Sequence, residues 1–529
     1  MKRILFLCTS LFALALLAGC EKESQPAAPS PDTGNTLTVL AGSELKDIEP
    51  LLPQVARATG VNLQMRYAGT LEAVERLQAG SDADIAWLSS NRYAMLVPQA
   101  KARILASERT MLTPVVLGLK ESKAVELGWK DNPKVTWKDI AAAAEKGKFT
   151  FGMTSPSSSN TGFSGLLGLA AALSGKGDAL EEKDIDAQRL SAFFKAQRLT
   201  AGSSGWLSDA YLREQDKVDG MINYASTLLA MNRGSALKEK LVLIYPQDGI
   251  LTADYPIMLL NPAKRDAYNK VVAYLRGTAF QQAMTDSTLR MPVNPEVKAA
   301  AAPAQALVEL EFPAKLAVVD AILTAFDDNL RLPTDSSFVL DKSGSMASGG
   351  RIQSLNAAMT ALAGGDSSIS GRFARFRNRE RITLLTFSDH VESVDHFDMG
   401  DTPAKNRAAL DAIAAKTNQI VPGGETAIFS SVQQTYQEAA QRRRNDPARF
   451  YSVVLMTDGE NNHGIDVESF SRWYAKLPET DKGIKVFAVL FGEAKPVELQ
   501  QLVDMTGGRL FDGRKNDLKS VFKDIRGYQ

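Results

Sequence analysis

Cysteine is nearly missing from this chain: Cys8 and Cys20 are the two in 529 residues. A disulfide-stapled scaffold is therefore excluded, and folding must rest on packed cores, which a chain of this length can build. Histidine is as scarce, with only His390, His396 and His463, none at metal-ligand spacing from another, so a histidine-based metal centre is not expected. Charge of one sign is missing too. The 61 basic residues meet 61 acidic ones, with no strongly basic domain or stripe, which points away from nucleic acid. The run Arg442-Arg443-Arg444 closes an amphipathic helical stretch and reads as a solvated helix terminus. Beyond the first twenty residues no apolar run is long enough to span a bilayer. Neither a nucleophile elbow nor a phosphate-binding glycine loop is present, and no nucleophile is paired with a base, so the chain does not read as an enzyme.

What is present begins at the amino terminus. Lys2 and Arg3 precede an apolar run from Ile4 to Leu17, and small residues lead into Cys20. This is the pattern of a cleaved export signal. Leu17-Ala18-Gly19-Cys20 resembles the lipobox of bacterial lipoproteins, which implies a signal peptide over 1–19, lipidation of Cys20 and a membrane anchor. An ordinary secretory signal with an incidental cysteine is the alternative; either way the chain leaves the cytoplasm. Loss of Lys2 and Arg3 leaves the mature chain near −2. Residues 20–35 are rich in Pro, Ser, Ala and Gln and read as a flexible tether. Glu21 is not the aspartate associated with inner-membrane retention, so the resemblance implies the outer membrane of a Gram-negative envelope.

Two folded regions follow. Over 36–298 short apolar strands alternate with helical patterns: Thr36–Leu40, then a helix over Glu44–Ala58, then Val61–Tyr67, Ile85–Leu88 and Val115–Leu117. The alternation predicts an α/β architecture with a largely parallel sheet, and the length predicts two lobes. Residues 299–334 hold an Ala/Pro linker, Ala299–Gln305, and a junction helix over Ala314–Leu330. The second region, 335–529, again alternates strand and helix and predicts a Rossmann-like, doubly wound sheet.

The sharpest constellation lies in that second region. Asp341-Lys342-Ser343-Gly344-Ser345 directly follows the apolar strand Phe338–Leu340. It offers a carboxylate and two hydroxyls, hard oxygen donors suited to Mg²⁺. By itself such a pattern is common. Gly423-Gly424-Glu425-Thr426, before a helix, adds a hydroxyl, and Thr457-Asp458-Gly459, after the strand Val453–Met456, adds a second carboxylate. Parallel sheets place such loops at one ligand-bearing edge. This order resembles the von Willebrand factor type A domain. The resemblance implies a metal-ion-dependent adhesion site made of Asp341, Ser343, Ser345, Thr426 and Asp458, holding Mg²⁺ (or Mn²⁺ or Ca²⁺). A partner protein's Asp or Glu would complete the shell of a cation that few carboxylates neutralise. Strand alternation should turn Lys342 away from the metal. A domain of this fold with a degenerate or purely structural site is the competing reading.

A softer constellation lies in the first region. Ser43, Thr70, the pair Ser89 and Ser90, Ser158 and Thr161 in a serine-rich turn, and Asn223 all follow apolar strands. Hydroxyls and free N–H groups at helix starts can cradle an anion, although any one of these turns is equally an ordinary cap. Together with candidate crossing strands at Thr113–Leu117 and within Leu241–Leu260, they resemble the type 2 periplasmic substrate-binding proteins. That implies two lobes around a cleft for a small polar solute or oxyanion, although no decisive charged clamp is evident. The expected whole is a lipid-anchored envelope binding protein that captures an envelope protein through its metal. The rival is a transport-associated solute receptor whose type A domain serves as a docking accessory.

Overall fold

The computed structural model describes residues 35–303, 306–514 and 517–529. The export segment, Cys20 and the tether up to residue 34 lie outside the described residues, as do positions 304 and 305 of the linker. Among the described residues no helix is long and apolar enough to cross a membrane.

The first region forms two lobes. β1 (Thr36–Gly42), β2 (Asn62–Ala68), β3 (Ile85–Trp87) and β4 (Ala106–Arg109) begin lobe one. β5 (Met111–Lys120) then carries the chain into lobe two, with β6 (Phe151–Thr154), β7 (Gln197–Ala201), β8 (Gly220–Tyr224) and β9 (Leu241–Ile244). β10 (Thr252–Ala253) brings it back, β11 (Pro256–Leu259) rejoins lobe one, and β12 (Met291–Pro292) closes on β5. The crossing strands sit where the sequence places them: β10 pairs antiparallel with β5 through Thr252–Pro114 and Ala253–Thr113.

The expectation of a largely parallel sheet needs correction. β1 runs parallel to β2 and β3, but β11 runs antiparallel to β3 and β4. A chain that leaves one lobe and returns through a neighbouring crossing strand re-enters in the reverse direction, and its strand must pair that way. Lobe two is likewise mixed: β6 parallels β7 and β8, while β5 opposes β8 and β9.

The second region has β13 (Thr334–Asp341), β14 (Arg381–Phe387), β15 (Val391–Asp398), β16 (Phe450–Thr457), β17 (Lys485–Leu490) and β18 (Leu510–Asp512). Their order is β15-β14-β13-β16-β17-β18, all parallel except the edge strand β15. Helices cover both faces, so the central strands carry apolar runs without alternation, Phe338–Leu340 in β13 and Val453–Met456 in β16. Successive residues still serve opposite cores. Phe338 and Leu340 pack with Leu355 and Phe522 on one face, and Val339 packs with Phe429, Val432 and Tyr436 on the other.

The junction helix, Leu316–Ala325, buries Val318, Val319 and Ile322 in the core of the two lobes. The last turns, Phe326–Leu330, widen into a π-helix, and Phe194 meets Phe326 edge-on at 5.0 Å. The second region also touches both lobes directly. Ser370 donates its N–H (2.9 Å) and its hydroxyl (2.5 Å) to Glu75 of lobe one. On lobe two, Lys485 pairs with Glu214 at 3.3 Å and the Arg509 guanidinium lies 4.3 Å over Trp206.

Candidate functional site

β14 and β16 lie on opposite sides of β13, so the connections leaving β13 and β16 diverge at the carboxyl edge of the sheet. Such a reversal opens the crevice in which doubly wound sheets bind ligands. Asp341 ends β13 on one side of it, and Asp458 directly follows β16 on the other. A third loop, ahead of the helix Ile428–Asn445, is pinned across them: Gly423 N donates to Lys342 O (2.7 Å) and Gly344 N to Gly424 O (3.0 Å). Gly424 holds φ +85°, and a Cβ there would meet the Ser388 hydroxyl at 2.7 Å, so this approach requires glycine. The loop delivers Thr426.

The five predicted positions therefore converge. Asp341, Ser343, Thr426 and Asp458 are buried and Ser345 is half-buried. Asp341 accepts from Ser343 N (2.7 Å) through one oxygen and from the Thr457 hydroxyl (2.6 Å) through the other. The Ser343 and Ser345 hydroxyls are 3.1 Å apart, and Ser345 donates to Asp458 Oδ1 at 2.8 Å. A Cβ built on Gly459 would lie 3.3 Å from Thr426 Oγ1 and 3.4 Å from Ser345 Oγ, which locates both hydroxyls around one point. Burial pushes the Asp341 carboxyl up to about 6, and the nearby Asp458 charge adds to the rise. Two carboxylates and three hydroxyls, with one carboxylate lacking any side-chain cation, form a donor set that fits a hard divalent ion. Among the described residues no group of three or more His, Cys, Asp or Glu is placed to hold a metal ion, so a cation held here would rely on hydroxyls and keep much of its charge.

Lys342 points away, as alternation requires, and pairs with Glu392 at 2.6 Å. Sequence reasoning missed Arg351, whose guanidinium reaches Asp458 Oδ2 at 2.6 Å. It also missed Asn462, whose side-chain oxygen accepts from Thr426 N at 2.7 Å. Each lies on a different segment from its partner, and no local spacing announces either. The histidines are occupied elsewhere: His396 with Thr383, His463 with Glu425 and His390 with Asp389.

Between the lobes of the first region lies a cleft of about 810 Å³. Ser43 and Ser158 line it. Thr70 and Ser158 close one side, Thr70 N donating to Ser158 O across the lobes at 3.3 Å. Ser89 is buried behind it; its carbonyl receives Asp254 N and Tyr255 N, while its hydroxyl serves Glu44 and Tyr224. Ser90 accepts from Arg92 N at the start of the next helix. Thr161 and Asn223 lie buried inside lobe two rather than facing the cleft. Thr161 bonds to Thr154 and Ser159, and Asn223 donates to Ser204 O and Ser208.

A charged cluster that no local sequence pattern announces is assembled at the cleft from distant segments. Arg290, with a side chain only 2% exposed, pairs with Asp47 at 2.8 Å, donates to Glu44 O at 3.2 Å and lies 4.7 Å over the Tyr255 ring. Glu44 Oε1 and Arg290 Nε are buried without hydrogen-bond partners, and burial raises the Glu44 carboxyl. The C-terminal domain supplies a third wall, with Arg509, Asp524 and Tyr528 facing the two lobes.

Residues 37–289 match the family model described as bacterial extracellular solute-binding protein, and residues 335–524 match that of the von Willebrand factor type A domain. No curated protein matches. Among solved structures, the ferric binding protein from Campylobacter jejuni aligns at 15% identity and a TM-score of 0.43, over 55% of this chain and 96% of that one. The periplasmic binding protein AfuA from Actinobacillus pleuropneumoniae aligns at 14% identity and 0.43, over 56% and 99%. The sulfate-binding protein SubI from Mycobacterium tuberculosis aligns at 16% identity and 0.39, over 54% and 96%.

Proposed function

We propose that this chain, which joins a solute-binding region to a von Willebrand factor type A domain, is a lipid-anchored envelope binding protein that captures a protein partner through a divalent cation. The carrying observation is the convergence of Asp341, Ser343, Ser345, Thr426 and Asp458 from three loops at the switch point of the sheet. Held there, Mg²⁺, Mn²⁺ or Ca²⁺ would supply an electrophilic centre with a position left for an acidic side chain of the partner. The protein's own residues hold and orient: Thr457 and Ser343 fix the Asp341 carboxylate, and Asn462 fixes the Thr426 backbone. Exposed apolar side chains flank the site. Val421 is 73% exposed, two residues before Gly423, and Val497 is 68% exposed, just beyond the loop whose Glu493 N donates to Asp458 O. An acidic side chain set among apolar neighbours is the surface they complement. Cys20 would tether the molecule in the outer membrane.

The test is thermal unfolding of the chain without its export segment, with Mg²⁺, Mn²⁺, Ca²⁺ or EDTA, for wild type and Asp341→Ala. A ligand of the native state raises apparent stability. The reading expects a rise with cation that Asp341→Ala abolishes, and metal-dependent capture of an envelope protein that EDTA reverses. A wild type indifferent to all three cations overturns it.

The cleft supports the receptor reading as a second one. Five carboxylates (Glu44, Asp47, Glu72, Asp209, Asp524) face three cations (Lys46, Arg290, Arg509) along its walls. That balance favours a polar solute bearing an amine over the oxyanion expected from the serine-rich turn. A stability rise with such a solute and none with cations would make the type A domain the accessory.

A further inference from the structure

At the opposite end of the type A sheet from the metal site, a groove of about 630 Å³ separates that domain from lobe two. Lobe two contributes the end of the helix Ala187–Phe194 and the start of β7. The type A domain contributes the junction at 329–333, the turn before β14, and the starts of β16 and β17. The charge is one-sided. Three lining cations have carboxylate partners: Arg331 with Glu380, Arg449 with Asp446 and Lys485 with Glu214. Four others, Lys195, Arg198, Arg379 and Arg443, have none within ion-pair distance among the described residues. Arg198 donates to Lys195 O and Gln197 O, Arg379 to Asp328 O and Arg331 O, and Arg443 to Lys482 O.

Carbonyls satisfy N–H donors without neutralising charge. Burial, followed by repulsion from Arg331 and Arg449, holds the Arg379 guanidinium below its ordinary value. Arg331 Nη1 is buried in the same wall with no hydrogen-bond partner. Among the described residues Glu214 is the one acidic side chain on the lining. Even with an α-carboxylate on Gln529, which also lines the groove, cations remain in excess. The arginine run at 442–444, read from sequence as a solvated helix end, divides here. Arg442 turns inward to Asp335, Arg444 pairs with Asp481 and Arg443 faces the groove.

We propose that this groove is a binding site for a small multivalent phosphate-type anion, which bridges lobe two and the type A domain. Guanidinium groups in a partly enclosed groove match the oxygens of phosphate through paired, charge-assisted hydrogen bonds. Binding neutralises mutual repulsion among cations that the protein compensates only in part. The site is separate from the metal site and from the interlobe cleft, since it shares no ligand residue with the first and only Tyr528 among its lining with the second.

The experiment is calorimetric titration and thermal unfolding of the chain without its export segment, with inorganic triphosphate, citrate or sulfate as probes. EDTA is present throughout, so that no metal–triphosphate complex forms and the adhesion site plays no part. Arg198 is exposed and Arg443 half-buried, so Arg198→Ser/Arg443→Ser should fold, and a circular dichroism spectrum equal to wild type checks this. The expected result is 1:1 binding of triphosphate that weakens steeply with salt. The double variant should bind at least tenfold more weakly, while Asp341→Ala binds as wild type does. Citrate binding as tightly as triphosphate would overturn the phosphate preference. Equal responses of wild type and double variant would overturn the site, as would no binding by wild type.

Discussion

Arg351 and Asp458 form an ion pair on the rim of the candidate metal site: the guanidinium lies 2.6 Å from Oδ2, the oxygen not used by Ser345. Asp458 is fully buried, whereas the Arg351 side chain keeps 21% exposure, so the arginine can move and the carboxylate cannot. A permanent positive charge paired with a prospective ligand competes electrostatically with a divalent cation. Arg351→Met should therefore lower the cation-free stability by about 1–3 kcal/mol, since it strands a buried charge. It should also tighten Mg²⁺ about tenfold. Titration calorimetry and thermal unfolding in EDTA read both, and weaker Mg²⁺ binding in the variant would remove Arg351 as a competitor.

Gly459 offers a finer probe. Its backbone needs no special conformation, yet a methyl group there would stand 3.3 Å from Thr426 Oγ1 and 3.4 Å from Ser345 Oγ. The Thr426 hydroxyl would have to give by a few tenths of an ångström, and the Ser345 hydroxyl would be brought into contact. Gly459→Ala should weaken Mg²⁺ by about tenfold, a loss of about 1.4 kcal/mol, with little change of stability in EDTA. A melting point in EDTA that drops as far as the metal response would mean that the substitution harms packing instead.

Glu380 anchors the other end of the domain. It is fully buried and binds both Arg331 and Arg526, the latter at 2.6 Å, while accepting Arg377 N at 3.1 Å. The neighbouring guanidinium charges, led by Arg526 and Arg331, outweigh burial and hold its carboxyl below the usual range. Glu380→Ala leaves two buried guanidinium groups without a counter-charge and should cost about 3–5 kcal/mol, read as a lower urea midpoint. Glu380→Gln should recover part of this. A loss below about 1 kcal/mol would show that Asp327 and Asp328 rebalance the cluster.

Four positions of the candidate metal constellation were legible because Asp341, Ser343, Ser345 and Asp458 lie within a few residues of the ends of apolar strands, whereas Thr426 was read from the glycine turn ahead of the helix Ile428–Asn445. Asp341 and Asp458 are 117 positions apart, yet each is placed by its own local pattern plus one rule about parallel sheets. The cleft was not legible in the same way. Ser43 and Ser158 were found, but Thr161 and Asn223 have the same composition signal and are used up inside lobe two. The charged cluster needs Glu44 and Asp47 beside Arg290, which comes from beyond the second crossing. Nothing local distinguishes Arg290 from any other arginine after a helix. Sheet direction failed for a related reason: β11 reads as a good strand, and only the return path of the chain makes it antiparallel.

Asp524 reports on the third wall of the cleft. It belongs to the last helix of the type A domain, but its surroundings come largely from lobe one. Glu72 is the nearest like charge, and Lys46 and Arg76 oppose it together with Arg509 of its own domain. Asp524 is exposed to the cleft, and the low-dielectric walls around that cleft, reinforced by Glu72, push its carboxyl up to about 6 from an ordinary 3.8. Between those two values the folded state holds the proton more tightly than the unfolded state, so this group's contribution to stability falls as pH rises from about 4 to about 6. Above that window Asp524 is ionised and costs stability, about 1 kcal/mol once cleft water is allowed to screen it. Asp524→Asn should thus be more stable than wild type at pH 7.5, equal to it near pH 4, and flatter in between. Unfolding midpoints measured from pH 4 to 8 decide it. A variant whose profile parallels wild type would mean that Asp524 faces bulk water and that the type A domain does not wall the cleft.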